Sequence, residues 1–416
     1  MRQVFLSVSA LVLLGATALA QHPDRDSAAI EAQQAHMQAY SVGDYMGALK
    51  AFGDRDPEAM EPMLRSSWNQ FRPALDGFVA QRAVSPSPSG QLSHEDLALL
   101  AAAQPSDAIS TIVERARHTR IVIVNETHDN PRDRAFIMKV AEALHPLGYT
   151  HYAAETLANW GNQDQVTQRI KDLSERGYPV FTDGFYSSEP TFGNLLRRVL
   201  ALGYYPVSYE WMPGPEGVPE DMGESVALRE KAQAENLARA LAAAGSDAKF
   251  LIHVGYSHAA EEPLNGGQEW MAAQLKALTG IDPLTVDQTD LSQYSRPAHY
   301  AQVAPAPGAA AVVLFDGNEP VRYGRNARAM DLQVVHPPIR ALGGRPDWLA
   351  STERKAVRVP AELMPRTGMR ILKIVVPGEP ADAVPIDVVL VKAGDEPPLV
   401  YVPAEGPFDW AVQDGS

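Results

Sequence analysis

Two short segments place acid and imidazole side chains at the ends of apolar runs. In IVIVNETHDN, residues 121–130, four β-branched residues lead straight into Asn125, Glu126, Thr127 and His128. In FLIHVGYSH, residues 250–258, His253 lies inside the run and His258 at its exit, with Gly255 and Tyr256 between them. Two more runs end alike, YAAET at Glu155 and VSYEW at Glu210. Glu126 and His128 are two residues apart, so an extended backbone points both to one side. A carboxylate and an imidazole so placed can act as general acid, general base or metal ligand. Gly255 allows a close approach of backbone to a neighbour. Carboxylates converging on one crevice repel unless a proton, an arginine or a cation neutralises them. Arg229, in SVALREKAQAENLARAL, is the candidate arginine: its i−4 and i+4 neighbours, Ser225 and Gln233, offer it no ion pair along its own helix. The candidate cation is a divalent metal ion held by His128, His258 and Glu155, with one position open to water.

Each of these residues also has a plain structural role open to it. Asp129 or Asn130 before Pro131 reads as a helix N-cap, which makes residues 126–130 an ordinary polar turn. A histidine inside a strand, such as His253, is often a satisfied core residue. Glu210 next to Trp211 and Pro213 resembles a loop entry. His145, His151 and His336 have positional explanations of this kind and are set aside. What favours chemistry is repetition, because four successive strand ends carry Glu or His where an inert sheet needs neither.

For these groups to meet, the chain must bring separate strands side by side. From about residue 109 to 289, short apolar runs alternate with helix-period stretches, the pattern of an α/β domain around a mostly parallel sheet with flanking helices. In such a sheet ligands bind beyond the carboxyl ends of the strands, where the polar residues lie. A parallel strand covered on both faces is almost wholly apolar, as residues 121–124 are. Residues 21–105 read as a helical segment, broken by SPSPSG at 85–90. The α/β core is expected over 106–343, and a small β-rich module over 344–416, where short strand-like runs are separated by Pro and Gly. Asp387, in PIDVVLV, reads as a strand-edge or turn residue rather than a catalyst. Trp160, Tyr186 and the loop 183–190 are candidates to line a pocket.

The order NETH, a helix, LGYTHYAAET, LREKAQAENLARAL and HVGYSH resembles the superfamily of erythromycin esterases, ChaN-like haem-uptake proteins and TIKI/TraB proteins. The resemblance covers roughly residues 109–289. It implies Glu126 and His128 at the first motif, Glu155 after the second strand, Arg229 on the later helix, and Gly255 with His258 at the closing motif. Asn125 departs from the pattern, which has Gly there. The activity implied is hydrolysis of an ester or peptide bond, with water activated by His128 or Glu126. Glu155 and His258 complete the cluster, and Arg229 stabilises negative charge. The alternative is haem or ligand carriage without catalysis, with His258, His253 or Tyr256 facing iron and Asn125 and Glu210 among the ligand contacts.

Composition bounds these readings. With 416 residues the chain is too long for one small core. A formal net charge of −15, with no Lys/Arg run, disfavours nucleic acid as a partner and leaves a small-molecule or peptide substrate. The absence of cysteine excludes disulfides, thiolate ligands and thiol catalysis. Residues 1–20 have the form of an export signal: Arg2, an apolar stretch over 5–14, and Ala18-Leu19-Ala20 ahead of Gln21. No other stretch approaches the roughly twenty apolar residues of a membrane span. The expected destination is outside the cytoplasm, the periplasm in a Gram-negative source.

Overall fold

The computed structural model describes residues 27–53, 60, 62–79, 92–157, 160–213, 217–219, 221–264 and 267–415. The expected export signal and the SPSPSG break lie outside these residues. Among the described residues the first helices are α1 Ser27–Tyr40, α2 Tyr45–Lys50, α3 Pro62–Phe78 and α4 His94–Ala102. At the start of α4 the Ser93 side chain accepts from Asp96 N–H while the Asp96 carboxylate accepts from Ser93 N–H, a reciprocal cap that fixes where the helix begins.

The central domain then alternates. Its first half runs β1 Gln104–Asp107, α5 Ala108–Ala116, β2 Ile121–Glu126, α6 Pro131–Leu144, β3 Tyr149–Ala154, α7 Gln163–Arg176, α8 Pro190–Ala201 and β4 Tyr205–Val207. The second half is α9 Met222–Ala244, β5 Lys249–Gly255, α10 Met271–Thr279, β6 Leu284–Asp287, α11 Pro297–Val303, β7 Val312–Asp316, β8 Glu319–Pro320 and β9 Leu332–Val335. These strands form one sheet in the order β1-β7-β9-β6-β2-β5-β3-β4, with β8 paired to β7. Pairings from β9 through β4 are parallel, and those involving β7 are antiparallel. The mostly parallel sheet expected from the sequence is present. Strands β1 and β6 were not legible in the sequence, being four residues long and, in QPSD and LTVD, carrying little apolar signal.

Both faces of the sheet are covered, which is why β2 is buried along its whole length. Alternate residues serve opposite cores: Val122, Val124, Tyr152 and Leu251 face one, and Ile121, Ile123, Phe250 and Ile252 the other. Each such aliphatic side chain contributes about 1.5–3 kcal/mol by leaving water.

The remaining strands are short: β10 Ala341–Leu342, β11 Arg345–Pro346, β12 Lys355–Arg358, β13 Met369–Val375, β14 Asp387–Lys392, β15 Leu399–Val402 and β16 Asp409–Gly415. They make small antiparallel sheets, the largest being β14-β13-β16. This region shares a core with the N-terminal helices, in which Tyr45, Leu75 and Phe78 pack with Ile371, Val384 and Val388. Asp387, at the first position of β14, is buried and takes two bonds from Arg345 and one from Tyr401 N–H. Among the described residues, no helix is long and apolar enough to cross a membrane.

Candidate active site

The sheet order puts β5 between β2 and β3, with β4 next, so the carboxyl ends of these four strands adjoin. After β2 the chain must turn at once into α6. Thr127 N–H and Oγ1 donate to Asp133 Oδ2 at 3.0 and 3.1 Å, and Asn130 Nδ2 donates to Asp133 Oδ1 at 2.7 Å. Asn130 holds the N-cap position but its side chain makes no cap bond, so Asp133 orders the turn instead. Burial pushes the Asp133 carboxyl up to about 7, against the pull of Arg132.

Glu126 leaves the end of β2 fully engaged. Its Oε1 accepts from Arg134 Nη2 at 2.8 Å and from His128 Nδ1 at 3.0 Å; its Oε2 accepts from Arg134 Nε at 2.7 Å and His253 Nε2 at 2.9 Å. Burial opposes ionisation here, but Arg134 and then His253 outweigh it and hold the carboxyl well below the usual range. Glu126 is therefore an ionised positioning group with no oxygen left for water. That leaves it no free position for the water-activating role the sequence suggested for either His128 or Glu126. Arg134, which also bonds Glu189 at 3.2 Å, was missed by sequence reasoning; its only signal was RDR in the first turn of the helix after the motif.

With Nδ1 of His128 donating to a carboxylate, Nε2 is the atom that carries the lone pair in the neutral ring. That Nε2 is buried and has no hydrogen-bond partner. It lies 3.7 Å from Glu155 Oε1, which is likewise buried and unpartnered. The ring is clamped between Tyr186, stacked at 4.1 Å and 16°, and Tyr256, edge-on at 5.0 Å and 88°. The Tyr186 hydroxyl is also buried without a partner, and its ionisation is opposed by burial and then by Glu155. Of the pocket-lining candidates, Tyr186 reaches the site, whereas Trp160 is partly exposed beside Arg169.

Glu155 follows β3 and is the centre of the cluster. Gly255 N–H donates to its Oε2 at 3.1 Å, His258 Nε2 is 3.7 Å from the same oxygen, and Arg229 Nη2 is 3.8 Å away. Burial pushes this carboxyl up, but His258, Arg229 and His128 together hold it below the ordinary value. Gly255 is required by proximity, because a Cβ there would sit 2.6 Å from His128 Cε1.

Arg229, on α9, is held by Glu210: its Nε donates to Oε1 at 2.8 Å and its Nη2 to Oε2. Gln233, one turn on, also donates to both Glu210 oxygens. Glu210 thus orients Arg229 and is not placed to contact a ligand. Arg229 Nη1 donates to His258 Nε2 at 3.0 Å, and Glu230 accepts from His258 Nδ1 at 2.9 Å. Burial lowers the proton affinity of His258, but Glu230 more than reverses this and the net direction is upward. A second proton can reach Nε2 only if Arg229 Nη1 gives way, so proton uptake and movement of Arg229 are coupled. Glu230, next to Arg229 in sequence, finds its partner in another element.

Asn125 also proves structural in its contacts. Its Nδ2 donates to Tyr256 O and Asp287 Oδ1, both at 2.8 Å, and its Oδ1 accepts from Gln288 N–H at 2.8 Å. It bolts the end of β2 to the turn after β5, where Tyr256 adopts a left-handed φ of 43°. His253 is committed at both nitrogens, with Tyr152 OH 2.7 Å from Nδ1.

The donor set does not fit a divalent cation. No group of three or more His, Asp or Glu among the described residues is arranged to hold a metal. His128 and His258 approach different oxygens of Glu155, and the lone pair of His258 Nε2 already accepts from a guanidinium whose positive charge stands where an ion would go. Haem iron fits no better: His253 and His258 are bonded at both nitrogens, and the Tyr256 hydroxyl is engaged with the His128 backbone. No step is routed through either group.

No family model matches the sequence, and no curated protein matches it. Among solved structures, the type III effector HopBA1 is 12% identical with a TM-score of 0.33, over 56% of this chain and 96% of that one. RRSP, a MARTX toxin effector domain from Vibrio vulnificus CMCP6, is 15% identical with a TM-score of 0.35, over 61% of this chain and 55% of that one. The C-terminal region of Pasteurella multocida toxin is 14% identical with a TM-score of 0.35, over 62% and 37%. Likeness at this level carries no functional argument.

Proposed function

We propose that this protein is an exported hydrolase of the erythromycin esterase/TIKI-like group, cleaving an ester or amide bond with His128 as general base. The observation that carries the reading is the pair of buried, unpartnered acceptors, His128 Nε2 and Glu155 Oε1, 3.7 Å apart. One water about 2.8 Å from each would donate both its hydrogens to them, leaving its lone pairs aimed at a substrate carbonyl. As the oxygen–carbon bond forms, the proton passes to His128 Nε2, and the imidazolium is stabilised by Glu126 through Nδ1. The carbonyl π pair moves to oxygen, where the Tyr186 hydroxyl donates to it and Arg229 supplies a fixed positive field. The imidazolium then returns its proton to the leaving alcohol or amine as that bond breaks.

A panel of chromogenic ester and peptide substrates tests this. Hydrolysis by the wild type, lost about 10²–10⁴-fold in His128→Ala as expected for removal of a general base, supports the reading. No turnover on any substrate, together with a Soret band on haem titration that vanishes in His258→Ala, would replace it with haem carriage.

A further inference from the structure

A second cavity, of about 500 Å³, opens on the outer side of α6. It lies between that helix, the start of α5, the segment 308–311, the chain leaving β9 and the turn 347–351. It adjoins the cluster around Glu155 through the first turn of α6, which carries both Arg132 and Arg134.

Arg132 makes this cavity chemically specific. It is 5% exposed. Its Nη1 donates to Pro337 O at 2.9 Å, whereas its buried Nε has no partner. Among the described residues four arginines are this deeply buried, Arg132, Arg134, Arg229 and Arg345. The last three bond to Glu126, Glu210 and Asp387 respectively. Arg132 has no described Asp or Glu oxygen within 4.0 Å. Burial lowers its proton affinity, and Asp133, chiefly, opposes this without a direct bond, so an anion paired directly with the guanidinium would be favoured. The wall carries two further cations, Lys139 and Arg340. Lys139, seven residues along α6, bonds only the Ser351 hydroxyl, at 3.2 Å. Two carboxylates also line the wall, Asp107 bonded to Ser110 N–H and Asp347 bonded to Arg340. His336 stays neutral, since burial and then Arg132 and Lys139 hold its proton affinity well below normal.

The remaining wall is apolar, with Phe136 and Trp348 the large side chains. An inorganic ion cannot fill such a volume, which is many times the roughly 30 Å³ of a water. Space of this size is ordinary for a small organic ligand. We infer that this cavity is a binding site for a small organic anion, a carboxylate on a flat apolar body, whose charge pairs with Arg132 and whose ring lies between Phe136 and Trp348.

Phenylacetate is the probe, with 2-phenylethanol as its neutral counterpart and inorganic phosphate as the bare anion, measured by calorimetry on the full chain. Phenylacetate is expected to bind one per chain at least tenfold more tightly than either control. Arg132→Met is expected to weaken it tenfold or more. Equal binding of 2-phenylethanol, equal binding of phosphate, or unchanged affinity in Arg132→Met would overturn the inference. Should that variant not fold, the wild-type midpoint decides: a rise with phenylacetate and none with 2-phenylethanol supports the site, and no rise with phenylacetate refutes it.

Discussion

Replacing Gly255 by Ala adds one methyl group, and its consequence can be worked out closely. The backbone there has φ −87° and ψ 142°, which alanine adopts without strain, so the entire effect falls on what the new Cβ meets. It meets His128 Cε1 at 2.6 Å, His128 Nε2 at 2.8 Å and Glu155 Oε1 at 3.2 Å, where ordinary contact begins at 3.4 Å. The ring must retreat by about 0.8 Å, the difference between 2.6 and 3.4 Å. It has nowhere to go, being stacked on Tyr186 at 4.1 Å and tied to Glu126 at 3.0 Å. Overpacking of this kind costs about 1–3 kcal/mol. A base displaced by nearly 1 Å loses on the order of 10²-fold in rate. Urea unfolding of wild type, Gly255→Ala, His128→Ala and the double variant isolates the contact. In the His128→Ala background the methyl group has room, so its cost there is expected to fall below about 0.5 kcal/mol, a coupling of at least about 0.5 kcal/mol. Additive effects, or a neutral Gly255→Ala in the presence of His128, would show that the close approach is not real.

Glu126→Gln is expected to cost up to about 3–5 kcal/mol at neutral pH by removing the bidentate counter-charge of buried Arg134, which keeps only Glu189. Because the folded-state carboxyl is depressed, its contribution is present above the ordinary value of 4.5 and lost as pH falls below it; unfolding curves of variant and wild type should therefore converge in acid, and a constant gap would refute the assignment. In Glu230→Gln the His258 imidazole loses the partner that raises it, so its NMR titration midpoint should fall below 6.5. A raised imidazole stabilises the fold fully below 6.5 and loses that contribution as pH climbs through its folded value, so the stability gap between variant and wild type should narrow in alkali. Tyr186→Phe should lower kcat about 10²–10³-fold with little change in KM if its hydroxyl serves the oxyanion, and an unchanged kcat would remove it from the mechanism.

The sheet and the strand-end residues were legible because both depend on local pattern. The apolar run 121–124 marked a strand covered on both faces, and Glu126, His128, Glu155, Glu210 and His258 were found by looking just past such runs. The division of labour among them was not legible, because it depends on pairings across the fold. Glu126 and Glu210 look alike in sequence to Glu155, yet each is saturated by an arginine while Glu155 keeps an oxygen unpartnered. Arg134 and Glu230 were overlooked for the same reason: each lies on a helix with no local hint that its partner is elsewhere. Arg132 carries no sequence signal either, since only the fold reveals that it is buried against a cavity with no carboxylate bonded to it.

The core shared by Tyr45, Phe78, Ile371 and Val388 has a temporal consequence. During synthesis the sticky side of α2 and α3 emerges nearly three hundred residues before β13 can cover it. At about 5–20 residues per second that interval is roughly 15–60 s, long enough for a nascent chain to need shielding. Nascent chains stalled ahead of residue 369 should accordingly be cut by protease within α2 and α3, whereas released full-length protein should resist.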